Sequence, residues 1–204
     1  MQDSKIPKLS TQELNALLDV KFFELKQSVM DKATHLLSSL ELNLKEETGF
    51  HRAHIPNGVL DVDSKISKGE NYRGLPYLVL DYPRYFKNEN IFAFRSMFWW
   101  GNYFTFTLHL SGMHLEHYLP KLKTNLNKLE LRNTYISIGE NPWVHHVDNS
   151  HYLTVQEWRN SVDEKAYFEN AKYIKLVRKL DINNWDQAAA FGLESYKLFL
   201  NTIS

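Results

Sequence analysis

The sequence predicts an α+β protein. An antiparallel sheet of about four or five strands surrounds an aromatic central hairpin, helices pack on one face, and a long amphipathic helix lies at the amino-terminal end. Three observations predict it. Leu14, Leu18, Phe22, Leu25, Val29, Ala33, Leu36, Leu40 and Leu44 recur at steps of four and three, the period of one apolar helix face. Residues 91–100 and 103–110 are two runs of aromatic and other strand-favouring residues parted by Gly101-Asn102. Beyond residue 110 the apolar residues return to helical spacing. A chain of 204 residues reads as one domain, 1–204, with the first helix at about 11–46, a sheet region at about 50–138 and a helical region at about 154–202.

The first helix has its start written out. Ser10 and Glu13 stand at capping-box spacing, with Leu9 and Leu14 at the staple positions around them. Unbroken to Glu46, the helix would be roughly 50 Å long, against a diameter of roughly 40–45 Å for a compact domain of this size. It therefore breaks, near Thr34 or Ser38-Ser39, or it overhangs and packs on a second chain as a homodimer seam. The break is the favoured outcome.

Residues 49–76 hold scattered Gly and Pro but also Ile55, Val59, Leu60, Val62 and Ile66, so they read as a long connection or short irregular strands. Tyr77–Tyr82 is a strand that Pro83 closes. Gly101-Asn102 fits a two-residue type II′ turn, because glycine takes the positive φ at the first position. That turn pairs Trp100 with Tyr103. It groups Ala93, Arg95, Met97 and Trp99 with Phe104, Phe106, Leu108 and Leu110 on a core-like face. The opposite face then carries Phe92, Phe94, Ser96, Phe98 and Trp100 with Tyr103, Thr105, Thr107 and His109. Leu115, Leu119, Leu122, Leu126 and Leu129 form a second helical stripe, with Pro120 in or near its first turn. Asn133–Ile138 is a short strand. Thr154 with Glu157, and Ser161 with Glu164, mark two helix starts. Tyr173–Leu180 fits a strand and a helix equally well. Asn184 and Gln187 cap a closing helix that runs to about Thr202.

Composition narrows the function classes. Twenty-four basic residues balance 24 acidic ones, so no overall field favours a phosphate backbone or an anionic membrane, and no nucleic acid is expected. Tyr82-Pro83-Arg84-Tyr85-Phe86 joins aromatics to a base but lacks neighbouring basic residues. The absence of cysteine removes thiolate chemistry and sulfur-ligated zinc, and it fits a reducing, cytoplasmic setting. Met1–Lys8 is polar, without the apolar segment of a signal peptide. Arg95, His109 and Gly101-Asn102 interrupt residues 91–110 and argue against a membrane span. There is no Gly-x-Ser-x-Gly, Gly-x-Gly-x-x-Gly or phosphate-binding loop, and Asp61-x-Asp63 fails as a calcium loop at Lys65, Ile66 and Tyr72.

Three constellations remain. His114 and His117, at i, i+3, together with His145 and His146, and with Asp148 and His151 beyond them, are the residue types of a divalent metal site. No other cofactor is expected. Arg95, on a core-like face, needs a carboxylate such as Asp81 or Glu140, or else anchors the carboxylate or phosphate of a ligand. Ser96, Thr105, Thr107 and His109, bordered by Trp100 and Tyr103, describe either a small-molecule pocket or a half-buried sheet face beneath a helix or a partner.

The leading functional expectation is an accessory or interaction protein that meets an unidentified protein partner through the aromatic sheet face and the first helix. The alternatives are a small-molecule-binding protein or enzyme with an aromatic-lined pocket for an anionic ligand, and a histidine metal site. Whether the chain is an enzyme stays open.

Overall fold

The computed structural model describes residues 6–204, the side chain of Leu131 apart. Residues 1–5 of the polar amino terminus weighed against a signal peptide lie outside the described residues. Helix α1 (Thr11–Leu18) opens on the expected capping box: Glu13 N–H donates to Ser10 Oγ at 3.2 Å, and Ser10 N–H donates to Glu13 Oε2 at 2.7 Å. The helix breaks at Asp19 rather than near Thr34 or Ser38-Ser39. Asp19 leaves helical geometry at φ −81°, ψ 74°, and its carboxylate accepts the Phe22 N–H at 3.0 Å. A short acidic side chain that bonds a nearby backbone N–H is better placed at a helix start than in a helix interior, and here it starts α2 (Val20–Phe50).

At 31 residues, α2 is about 46 Å long. It reaches the core from Met30 onward, through Met30, Ala33, Leu37, Leu40 and Leu44. The break and the overhang thus occur together. Leu14, Leu17, Leu18, Val20, Phe22, Phe23 and Leu25, all ahead of Met30, are 45–69% exposed.

The sheet has seven strands, not four or five, in the order β1-β2-β3-β4-β7-β5-β6, and every pairing is antiparallel. Strand β1 (Lys65–Tyr72) is a polar edge strand. Strand β2 (Leu75–Lys87) runs through Pro83, where the ladder is interrupted between Asp81 and Arg84. A residue without an N–H is tolerated at such an irregularity, so proline interrupts the strand without ending it. Strands β3 (Asn90–Trp99) and β4 (Tyr103–Ser111) form the aromatic hairpin. Strands β5 (Thr134–Ser137) and β6 (Tyr152–Thr154) are short. The ambiguous segment becomes β7 (Tyr173–Asp181), an interior strand between β4 and β5.

The hairpin register differs from expectation by one residue. Phe98 pairs with Phe104, and the loop is Trp100-Gly101-Asn102. Asn102 N–H donates to the Trp99 carbonyl at 3.1 Å, and Gly101 takes φ 68° at the third turn position rather than the second. A one-residue shift between strands regroups every side chain. Phe92, Phe94, Ser96 and Phe98 now share a face with Phe104, Phe106, Leu108 and Leu110. Helix α2, helix α3 (Gly112–Asn125) and helix α6 (Ala188–Ile203) cover that face. Each of these phenylalanines contributes about 1.5–3 kcal/mol by burial. The other face carries Ala93, Arg95, Met97 and Trp99 with Tyr103, Thr105, Thr107 and His109.

Smaller corrections concern helix starts. Helix α3 begins at Gly112, so Pro120 lies well inside it, and Leu126 and Leu129 fall in the 3₁₀ turn that follows. Gly112 has φ 54°, and a Cβ there would meet Asn90 Oδ1 at 2.2 Å, so only glycine admits the Asn90 side chain that accepts the Met113 N–H at 2.9 Å. Thr154 and Glu157 do box the start of α4 (Val155–Ser161). Helix α5 (Glu164–Asn170) is capped by Asp163, while the Ser161 hydroxyl turns back to the Glu157 carbonyl at 2.7 Å. A 3₁₀ segment over Ile182–Gln187, capped by Asp181, precedes α6, and neither Asn184 nor Gln187 supplies a side-chain cap. No helix among the described residues is long and apolar enough to cross a membrane.

Candidate functional site

The helix-free face of the sheet is crossed by the connection from β5 to β6, residues 138–151. This irregular strap has no ladder to satisfy its backbone, so side chains rising from the strands do so. Lys175, on β7, donates from Nζ to the carbonyls of Pro142 and Val144. The Tyr72 hydroxyl accepts the N–H groups of His145 (2.7 Å) and His146 (3.0 Å), and the Tyr103 hydroxyl accepts that of Val147 (2.9 Å). Tyr152 donates to the Val144 carbonyl at 2.8 Å.

Beneath the strap lies a cluster of charged and imidazole groups. Arg95 holds Asp81, its β2 neighbour, with two bonds of 2.7 and 2.8 Å, and donates from Nη1 to His145 Nε2 at 2.9 Å. A guanidinium only donates, so His145 accepts through Nε2 and carries its proton on Nδ1. Burial, then the charges of Lys175 and Arg95, push the His145 pKa down to about 2 and that of His109 to about 3. Burial, and then Arg95, lower Lys175 to about 7. Both rings are therefore neutral near pH 7, able to donate at one nitrogen and accept at the other. Arg95, Thr107, His109, His145 and Lys175, with Phe86 and Ala93, line a void of about 10 Å³, on the order of one water.

Of the pocket residues read from the sequence, the corrected register brings Arg95, Tyr103, Thr105, Thr107 and His109 to one face. Ser96 lies on the opposite, helix-covered face, and Trp100 sits at the hairpin tip, 6.5 Å from the Phe22 ring. The guanidinium of Arg95 is engaged by Asp81 and His145 beside a void of that size.

The four histidines do not converge. His114 is buried on α3 against Tyr85 and Phe92, on the helix-covered side, and His117 is exposed one turn along. His145 and His146 lie on the strap across the sheet. His146 instead meets Asp148 and His151, with one ligand atom of each within 4.8 Å of the others. Arg73 Nη1 stands 2.6 Å from His146 Nε2, so a guanidinium already engages the lone pair a metal would need.

Lys175, Tyr72 and Trp143 were not anticipated. In Tyr173-Ile-Lys-Leu-Val177 the lysine interrupts an apolar run, and an interior strand with both faces covered is where such an interruption has to be explained.

Beside the cluster, a cleft of about 470 Å³ opens between the strap, the start of α3 and the start of β7. Its wall includes His109, Trp143 and Tyr173, and its other residues include Glu89, Glu116, Glu140 and Lys172. Trp143 and Tyr173 meet His109 edge-on, at centroid distances of 5.9 and 5.8 Å. His109 is 4% exposed, and its Nε2 has no hydrogen-bond partner among the described residues.

Comparison with protein-family models, curated proteins and solved structures finds no match to this chain.

Proposed function

We propose that this is an accessory protein that works by self-association, the exposed arm of α1 and the first turns of α2 pairing with the arm of a second copy. The single observation that carries this reading is the row of seven exposed apolar side chains from Leu14 to Leu25. At about half to two-thirds exposure each, they leave apolar side chains uncovered on more than one side of the arm. Exposed apolar surface of this kind marks contact sites.

Charge supports a second copy as occupant. An antiparallel twofold near Phe22 sets Phe22 against itself and Leu18 toward Leu25, and brings Lys21 beside Glu24 of the second copy on one flank. The surface is thus complementary to itself. The buried aromatic face of the hairpin has no part in this reading, since Phe92, Phe94 and Phe98 are at most 2% exposed.

The test is molar mass in solution by light scattering at increasing concentration, for the native chain and for Phe22→Glu with Leu25→Glu. A native dimer that the variant converts to monomer with an unchanged melting curve supports the reading. A native chain still monomeric at a concentration on the order of 100 micromolar, or a variant that still dimerises, overturns it.

A further inference from the structure

The void beneath the strap is lined by two cationic side chains and no carboxylate: Arg95 and Lys175 stand around it with Thr107, His109 and His145. Asp81 pairs with Arg95 and lies outside that lining. Lys175 has no such partner. Its two bonds go to the neutral carbonyls of Pro142 and Val144, and it is 1% exposed. A buried charge is ordinarily paired, because it has given up water and needs something in its place. Both imidazoles are neutral, so a protonated Lys175 leaves the cluster with one positive charge that no side chain in it offsets.

Hydrogen bonding points the same way. A guanidinium has five N–H groups and an ammonium three, and neither can accept. Arg95 spends three on Asp81 and His145, and Lys175 spends two on the strap carbonyls, so both keep donors to spare. Thr107 adds a hydroxyl to the same wall. A water there would have to find acceptors for its own hydrogens, whereas an anion only accepts. The volume of about 10 Å³, on the order of one water, suits an ion of a single atom.

We propose that the void is a halide site, in which a chloride ion accepts the spare N–H groups of Arg95 and Lys175 and the Thr107 hydroxyl, and serves as counter-ion to the buried ammonium. This inference stands independently of the arm.

Thermal melting at pH 6, where Lys175 keeps its proton, tests it as sodium gluconate is replaced by sodium chloride at constant ionic strength. Constant ionic strength fixes general screening. The same replacement on Lys175→Met, which keeps the length of the side chain and loses its charge, subtracts the other effects of the two anions. Relative to that variant, chloride raises the native midpoint saturably, by on the order of 3 °C. Thr107→Val, close to threonine in shape, shows a smaller rise than the native chain and is the reference if the lysine variant does not fold. Crystals of the native chain grown in sodium bromide locate the ion by an anomalous peak between Arg95 and Lys175. A salt replacement that shifts the native chain and the folded variants alike, or a bromide crystal with no anomalous peak in the void, would each overturn the proposal.

Discussion

Replacing Lys175 by methionine tests whether the strap rests on a dehydrated ammonium. Lys175 is 1% exposed, and burial takes its pKa from 10.5 down to about 7. Below pH 7 the folded and unfolded chains both carry the proton. Between pH 7 and 10.5 only the unfolded chain does, so unfolding takes up a proton and stability rises with pH through that window. The slope approaches ~1.4 kcal/mol per pH unit, and the full span is worth ~5 kcal/mol. A methionine side chain has nothing to titrate, so the difference between the native chain and Lys175→Met isolates the lysine. The assay is urea unfolding at pH 6.5, 7.5, 8.5 and 9.5. It stops there because half-buried Tyr103 has a raised pKa and the unfolded chain's tyrosines ionise near pH 10. The histidines with depressed values act below pH 6.5 and leave this window clear. The native chain is expected to gain about 3 kcal/mol on the variant between pH 6.5 and 9.5. A gap that stays constant would mean the ammonium is hydrated in the folded protein, and the picture of a dry strap would fail.

Other outcomes follow from the same structure. Asp81→Ala leaves Arg95 without its carboxylate partner and should cost about 3 kcal/mol or more in urea unfolding. On the acid side, His109 and His145 sit well below their ordinary 6.5, so the stability they confer is complete above pH 6.5 and drains as pH falls toward 3; His145→Asn should flatten part of that acid limb in pH-dependent melting. Phe94→Ala empties a fully buried site and should cost ~3–5 kcal/mol, whereas Trp100→Ala, at the hairpin tip, should cost ~1 kcal/mol or less by the same denaturation. Gly192→Val should destabilise by ~1–3 kcal/mol, since a Cβ there meets Phe106 at 2.6 Å and Leu40 at 2.8 Å where α6 crosses α2 and the sheet.

Legibility followed the number of faces a segment buries. From Met30 onward α2 buries one face and shows a clean four-three period. The hairpin strands are covered on both sides, so aromatic and small polar residues alternate without saying which set meets the helices. Gly101 is compatible with a turn at either of two positions, and Trp100 suits a strand end as well as a loop; register therefore hung on one residue. That residue decides whether Arg95 and His109 are neighbours across a pair of strands or lie on opposite faces. Strand β1 and the three-residue β6 are too polar or too short to stand out, and β7 hides its identity behind Lys175. The cleft was illegible for a different reason. It is assembled from the ends of β3, β4 and β7, the start of α3 and the strap, which no spacing along the chain links.

The two faces of the sheet answer different demands. The helix side meets elements that satisfy their own backbones, so it offers phenylalanine and leucine. The strap side meets a long run of irregular chain, and its tyrosines, Lys175 and Arg95 supply the bonds that chain lacks. A polar residue on that face accordingly needs no function to explain it once its bonds are counted. Counting leaves one remainder: among the described residues, His109 Nε2 is the buried side-chain atom of that face for which neither the strap nor the strands provide a partner. Its ring lines an open cleft.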